Sequence, residues 1–137
     1  MSDSGERQRP VKPRDAASLI ILRQRRNRHE VLMGRRASRH RFMPNVYVFP
    51  GGRLDPADRR AEIESDLSPS VAAKLHAKWA PDLARGLAVT AARETQEETG
   101  LVFGRLVDGK IRPALDGFDY FARAITCLLY TSDAADE

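Results

Sequence analysis

The sequence predicts an α+β fold, a mixed β-sheet with helices packed on it. Three observations predict it. Short aliphatic or alternating segments lie on both sides of a pair of helix signals, so the order runs strands, helices, strands. Asp108-Gly109 sits between two strand-like segments, and that dipeptide is a strong short hairpin signal because both positions tolerate φ > 0. The chain has 137 residues and no internal repeat, which suits one domain with a single core.

The elements follow in order. Residues 1–15 are polar, carry two prolines and show no periodicity, so they read as a disordered leader. Residues 16–22 are short and aliphatic, the pattern of a buried strand. The arginine-rich segment 23–28 is expected to turn the chain, with residues 30–35 as the hairpin partner. Residues 46–49 alternate and end at Pro50-Gly51-Gly52, where the paired glycines predict a tight turn. Ser68-Pro69 has the form of an N-cap followed by proline at the first helical position, and Val71, Leu75 and Trp79 give that helix an apolar stripe. A longer helix is predicted from an Asp82 N-cap to Thr99, stopped by Gly100, with Leu83, Leu87, Ala91 and Thr95 facing inward. Residues 101–106 and 110–112 flank the Asp108-Gly109 turn, and residues 120–126 read as one more strand.

Composition narrows the function classes. At 42% hydrophobic and 31% charged residues, the chain is neither wholly disordered nor a membrane protein, and no apolar run approaches a bilayer span. The absence of an apolar core behind the charged start argues against a signal peptide and for a cytoplasmic protein. A single cysteine, Cys127, excludes an internal disulfide framework and a cysteine zinc site. Residues 1–41 carry 12 Lys and Arg against 4 Asp and Glu, a basic excess that suits an anionic small molecule. Nucleic acid is disfavoured as a partner, because no aromatic residue stands among the arginines before Phe42. His29, His40 and His76 are scattered rather than in ligand spacing and are expected at the surface; Phe42 and Trp79 read as packing residues.

The chemistry concentrates at the end of the long predicted helix. At about 100° per residue, Glu94, Glu97 and Glu98 fall within an arc of about 100° on one face. They repel one another, none has a Lys or Arg four residues onward, and they crowd the end of the helix where the macrodipole already disfavours anions. A local rule broken this plainly points to a site, and a hard divalent cation with oxygen ligands is the natural compensating charge.

Phe49-Pro50-Gly51-Gly52 upstream and Arg93-Glu94-Thr95-Gln96-Glu97-Glu98-Thr99-Gly100-Leu101 downstream together resemble the Nudix box. The family pattern is Gly, five residues, Glu, seven residues, then Arg-Glu-hydrophobic-x-Glu-Glu-x-Gly-hydrophobic. Thr95 stands in a hydrophobic slot and Leu101 fits. The resemblance implies an α/β/α sandwich, a mixed sheet between helices, over residues 16–126. It implies a pyrophosphate-cleaving hydrolase using Mg²⁺ or Mn²⁺, with a small-molecule nucleotide substrate, and it allows a homodimer. By the same resemblance Glu94, Glu97 and Glu98 are metal ligands and catalytic residues, with the Gly51 carbonyl beside them. Arg93 orients the glutamates, Gly52 lies against substrate, and Asp58 takes the place of the first box glutamate as a further metal ligand, with Asp55 where another acid is common.

The pattern departs from the family in one large respect. Thirty-four residues separate Asp58 from Arg93, so the resemblance implies an insertion at about residues 59–82. Such an insertion, together with Leu32-Met33-Gly34-Arg35-Arg36-Ala37, Arg41 and Phe42-Met43-Pro44, is similar to the branch that hydrolyses coenzyme A and acyl-coenzyme A. Met33, Gly34 and Asn45 depart from that branch's signature. Arg36 and Arg41 then suit substrate phosphate, since guanidinium binds phosphate bidentately. ADP-ribose or a dinucleotide as substrate, and a non-catalytic nucleotide-sensing domain, are the alternatives. Residues 127–137 resemble the translated read-through of a transposon-based sequencing adapter, so the domain is expected to be incomplete at its C-terminus and the tail not native.

Overall fold

A computed structural model describes residues 12–35 and 46–125. Residues 15–120 form one compact unit. Of a second unit built from the two chain ends, residues 12–14 and 121–125 are described; all are exposed and without regular structure. The strand expected over residues 120–126 is therefore absent from residues 120–125, and Thr126 and the tail lie outside the described residues.

The α+β class holds. The strands are β1 (Ala16–Ser18), β2 (Leu22–Arg25), β3 (Arg28–Val31), β4 (Gly34–Arg35), β5 (Tyr47–Val48), β6 (Gly51–Arg53), β7 (Gly104–Val107) and β8 (Lys110–Pro113). A 3₁₀ helix at Pro56–Arg60 and two α-helices, α1 (Pro69–His76) and α2 (Pro81–Thr99), lie between β6 and β7. The strands pair as four antiparallel ladders, β1–β6, β2–β3, β4–β5 and β7–β8, and a parallel bridge joins Ser65 to Ala114.

Where the expected elements moved, the cause is local. The strand predicted over residues 16–22 divides in two: β1 pairs with β6 and ends where Leu19 N–H is taken by the Pro50 carbonyl at 2.8 Å. The arginine segment forms strand rather than loop. Only Arg26 and Asn27 turn the β2–β3 hairpin, with Arg26 at φ 53°, so Arg25 and Arg28 pair across it. The glycines of Pro50-Gly51-Gly52 lie inside β6, and neither has positive φ.

Proline starts both α-helices. Ser68 caps α1 as expected, though without a side-chain hydrogen bond. For α2 the cap is Ala80 and Pro81 opens the first turn; Asp82 is already helical, and its carboxylate accepts from Arg59 Nε at 2.9 Å. Gly100 ends α2 at φ 79°, the left-handed stop. Asp108 (φ 51°) and Gly109 (φ 78°) turn the β7–β8 hairpin as predicted.

The expected inward stripe of α2 is too narrow. Ala91 and Thr95 are buried, but so are Ala84, Gly86, Val89, Thr90 and Ala92, whereas Leu83 and Leu87 are half-buried. The helix is packed on several sides, by β1 and β6, the 3₁₀ helix, α1 and β8. Its small residues permit this: a Cβ at Gly86 would meet Arg59 Cγ at 3.0 Å and Arg59 Cα at 3.2 Å. The main apolar cluster joins Leu67 and Val71 to Val89 of α2 and to Leu115, which is fully buried. Segment 59–82 thus contributes to the core. Asp66–Arg85 and Arg59–Asp82 ion pairs tie it to α2, and Trp79 packs edge-on against Tyr120 at 5.9 Å.

Candidate active site

The last turns of α2 place Arg93, Glu94, Glu97 and Glu98 beside β6. Gly51 pairs with Ser18 in the register that follows the bonded pair Leu19–Pro50, so its N–H and carbonyl point away from β1. Its N–H donates to Glu98 Oε2 at 3.3 Å. A Cβ on Gly52 would lie 2.5 Å from Glu94 Cδ and 2.7 Å from its Oε1. A Cβ on Gly51 would strike the Ala17 carbonyl and Ser18 Cα. The glycine pair is required by close approach of β1 on one side and of α2's carboxylates on the other, not by a turn.

Arg93 organises the acids. Its Nε donates to Asp58 Oδ1 and its Nη2 to Asp58 Oδ2, both at 2.9 Å, a two-pronged charge-assisted pair. Nη1 donates to Glu94 Oε1 at 3.1 Å and to Glu97 Oε1 at 3.2 Å, and Nη2 reaches the Arg53 carbonyl at 3.4 Å. The repulsion among the glutamates is therefore relieved from upstream, by the residue just before Glu94 and four before Glu97. This agrees with the orienting role that the resemblance implied for Arg93.

Asp58 is not grouped with the glutamates. It is buried, and its oxygens are taken up by Arg93, by the Thr90 hydroxyl at 2.7 Å and by Asp55 N–H at 3.0 Å. Burial pushes the Asp58 carboxyl up, but the hydrogen bonds from Arg93, Thr90 and Asp55 outweigh it and hold the pKa below the ordinary 3.8. The Asp58 hydrogen bonds and charge in turn raise the Arg93 pKa above its already high ordinary value. The Asp58 carboxylate oxygens, expected on a metal, are engaged here by Arg93, Thr90 and Asp55. Asp55 caps the 3₁₀ helix and forms a capping box with Asp58.

Thr90 had no signal of its own in the sequence beyond a hydroxyl in mid-helix, yet it completes this network. Arg36, Arg41 and Phe42 lie outside the described residues, as does His40; His29 and His76 are exposed as expected. Among the described residues no group of three or more His, Cys, Asp or Glu is arranged to hold a metal ion. Glu94 and Glu97 lean on Arg93, and Glu98 on Gly51. Their chemistry nevertheless fits a hard divalent cation: carboxylate oxygens on one helix turn, beside a strand residue whose carbonyl points away from its ladder.

Fold and site together define the class: the described chain has the Nudix hydrolase fold. It is 35% identical to a Nudix hydrolase from Alicyclobacillus acidocaldarius, known from a crystal structure, with a TM-score of 0.53 over 69% of this chain. This chain spans 40% of that protein's length. No family model and no curated protein matches the sequence. Among the described residues no helix is long and apolar enough to cross a membrane.

Proposed function

We propose that this protein is a metal-dependent Nudix hydrolase that cleaves the pyrophosphate bond of a nucleoside diphosphate linked to another group, coenzyme A or acyl-coenzyme A being the substrate its sequence favours. The observation that carries the reading is the last turn of α2, with Arg93, Glu94, Glu97 and Glu98 laid against Gly51-Gly52. Glu94, Glu97 and Glu98 would hold Mg²⁺ or Mn²⁺, which when bound offsets diphosphate charge and acidifies a coordinated water. The chain's own contribution is positional. Asp58 anchors Arg93, Arg93 spaces Glu94 from Glu97, and the bare glycine strand lets the Glu94 carboxylate lie against β6. Water attacks one phosphorus and gives its proton to one of the box glutamates or to a residue beyond Thr126, the bridging P–O bond breaks, and the displaced phosphate leaves with the electron pair. With coenzyme A the products are 3′,5′-ADP and phosphopantetheine.

Glu97→Gln is the direct test. The side chain is 53% exposed, so its loss leaves packing intact and removes at most an i,i+4 ion pair worth about 0.5 kcal/mol. Turnover of coenzyme A with Mg²⁺ is expected to fall by orders of magnitude while the circular dichroism spectrum stays that of the parent. Near-normal turnover would remove Glu97 from the site. ADP-ribose and dinucleotides, assayed in parallel, report the leaving group. Nucleotide binding without Mg²⁺ and without hydrolysis would instead favour the sensing domain.

A further inference from the structure

We infer that Thr90 is a positioning residue: its buried hydroxyl sets the plane of the Asp58 carboxylate and, through it, the Arg93 guanidinium against which Glu94 and Glu97 are held. The inference rests on the reading of those glutamates as the cation-holding group. Thr90 is fully buried on α2, one turn before Arg93. Threonines in this helix bond back to the carbonyl four residues earlier, as Thr95 does to Ala91 at 2.7 Å and Thr99 to Thr95 at 2.6 Å. Thr90 differs. It has the Gly86 carbonyl at 2.9 Å and also Asp58 Oδ2 at the shorter 2.7 Å. One hydroxyl proton cannot serve both fully, and the charged acceptor takes the stronger bond.

That bond crosses from α2 to the 3₁₀ helix. Asp55 N–H and Arg93 Nη2 also reach Oδ2, while Oδ1 has Arg93 Nε. The hydroxyl is the one donor in this set that belongs to α2 without being the arginine itself. It therefore fixes the carboxylate relative to the helix that carries the glutamates. Without it, the carboxylate and Arg93 can swing together about the Asp58 side chain, and Nη1 loses its fixed place between Glu94 and Glu97.

The test measures Mn²⁺ binding to the full 137-residue chain from the loss of the free-ion electron paramagnetic resonance signal. Thr90→Val removes the hydroxyl and keeps the shape, Thr90→Ser keeps the hydroxyl, and Glu97→Gln is the reference for a lost ligand. Thermal unfolding midpoints accompany each. The expected result is parent-like affinity in Thr90→Ser and affinity weaker by about tenfold in Thr90→Val, with Thr90→Val no less stable than Thr90→Ser. Should Thr90→Val not fold, Thr90→Ala is compared with Thr90→Ser in the same way. Parent-like affinity without the hydroxyl, or equal weakening in both variants in step with stability, would overturn the role of Thr90 and leave the glutamate site standing. If the parent binds Mn²⁺ no better than Glu97→Gln, the site reading falls and this inference with it.

Discussion

Asp58 shows how much one side chain decides here. Its charge is stabilised only where Arg93, Thr90 and Asp55 surround it, so its pKa lies below 3.8 in the folded chain. A depressed carboxylate contributes stability that is complete above the unfolded value and is lost as pH falls through the folded one. The stability difference between the parent and Asp58→Asn is therefore expected to be largest near neutral pH and to shrink as pH drops below about 4. At neutral pH it should be about 2 kcal/mol, because Asp58→Asn weakens the charge-assisted bonds to the Arg93 guanidinium, which keeps Glu94 and Glu97 as partners. Denaturant unfolding of both proteins across that range measures it; a constant difference would mean that Arg93 does not depend on the charge. The sequence showed Asp58 at the place of an acid in the box pattern. It did not show which partner the acid serves, because its arginine stands 35 positions away.

At the scale of elements, β6 and α2 build the site by close approach, and the two glycines answer to different neighbours. A methyl at Gly51 runs into the backbone of β1, which cannot yield without moving the strand. A methyl at Gly52 runs into the end of the Glu94 side chain, which can turn aside. Gly51→Ala is thus expected to cost about 1–3 kcal/mol of stability. Gly52→Ala should unfold near the parent midpoint yet lose Mn²⁺ affinity and turnover by displacing Glu94. Thermal scans of both variants separate the cases, and equal destabilisation would argue that Glu94 is as fixed as the strand. Turns and caps were legible beforehand: Asp108-Gly109, Gly100 and Ser68-Pro69 each act through the φ preference of one or two residues. The glycine pair predicts a turn but lies in a strand, because close packing and positive φ select the same residue and sequence does not say which is at work.

Over the whole compact unit, segment 59–82 and the site-bearing helix share one core. Leu67 and Val71 close over Val89 and Leu115, Glu64 N–H donates to the Pro113 carbonyl at the end of β8, and Leu115 N–H donates to the Ser65 carbonyl. Leu115→Ala should therefore cost about 2–5 kcal/mol, as for a fully buried leucine. Excising residues 61–77 should leave a remainder that does not fold cooperatively. A sharp unfolding transition in the shortened chain would show the segment to be an appendage.

The sequence by itself determined what lies within a few residues: the α+β order, the start of α1 and the stop of α2, the second hairpin, and the clustering of Glu94, Glu97 and Glu98 on one helical face. It also carried the resemblance that named the chemistry. Only the tertiary structure decided that Asp58 holds Arg93, that Thr90 joins them, that the glycines admit α2 rather than turn the chain, and that Arg93 relieves the glutamates. Backbone preference and helical periodicity are local quantities written into neighbouring residues. The partner of a buried charge is set by which surfaces meet, as when Gly51 and Glu98, 47 positions apart, come within hydrogen-bonding distance once β6 and α2 pack.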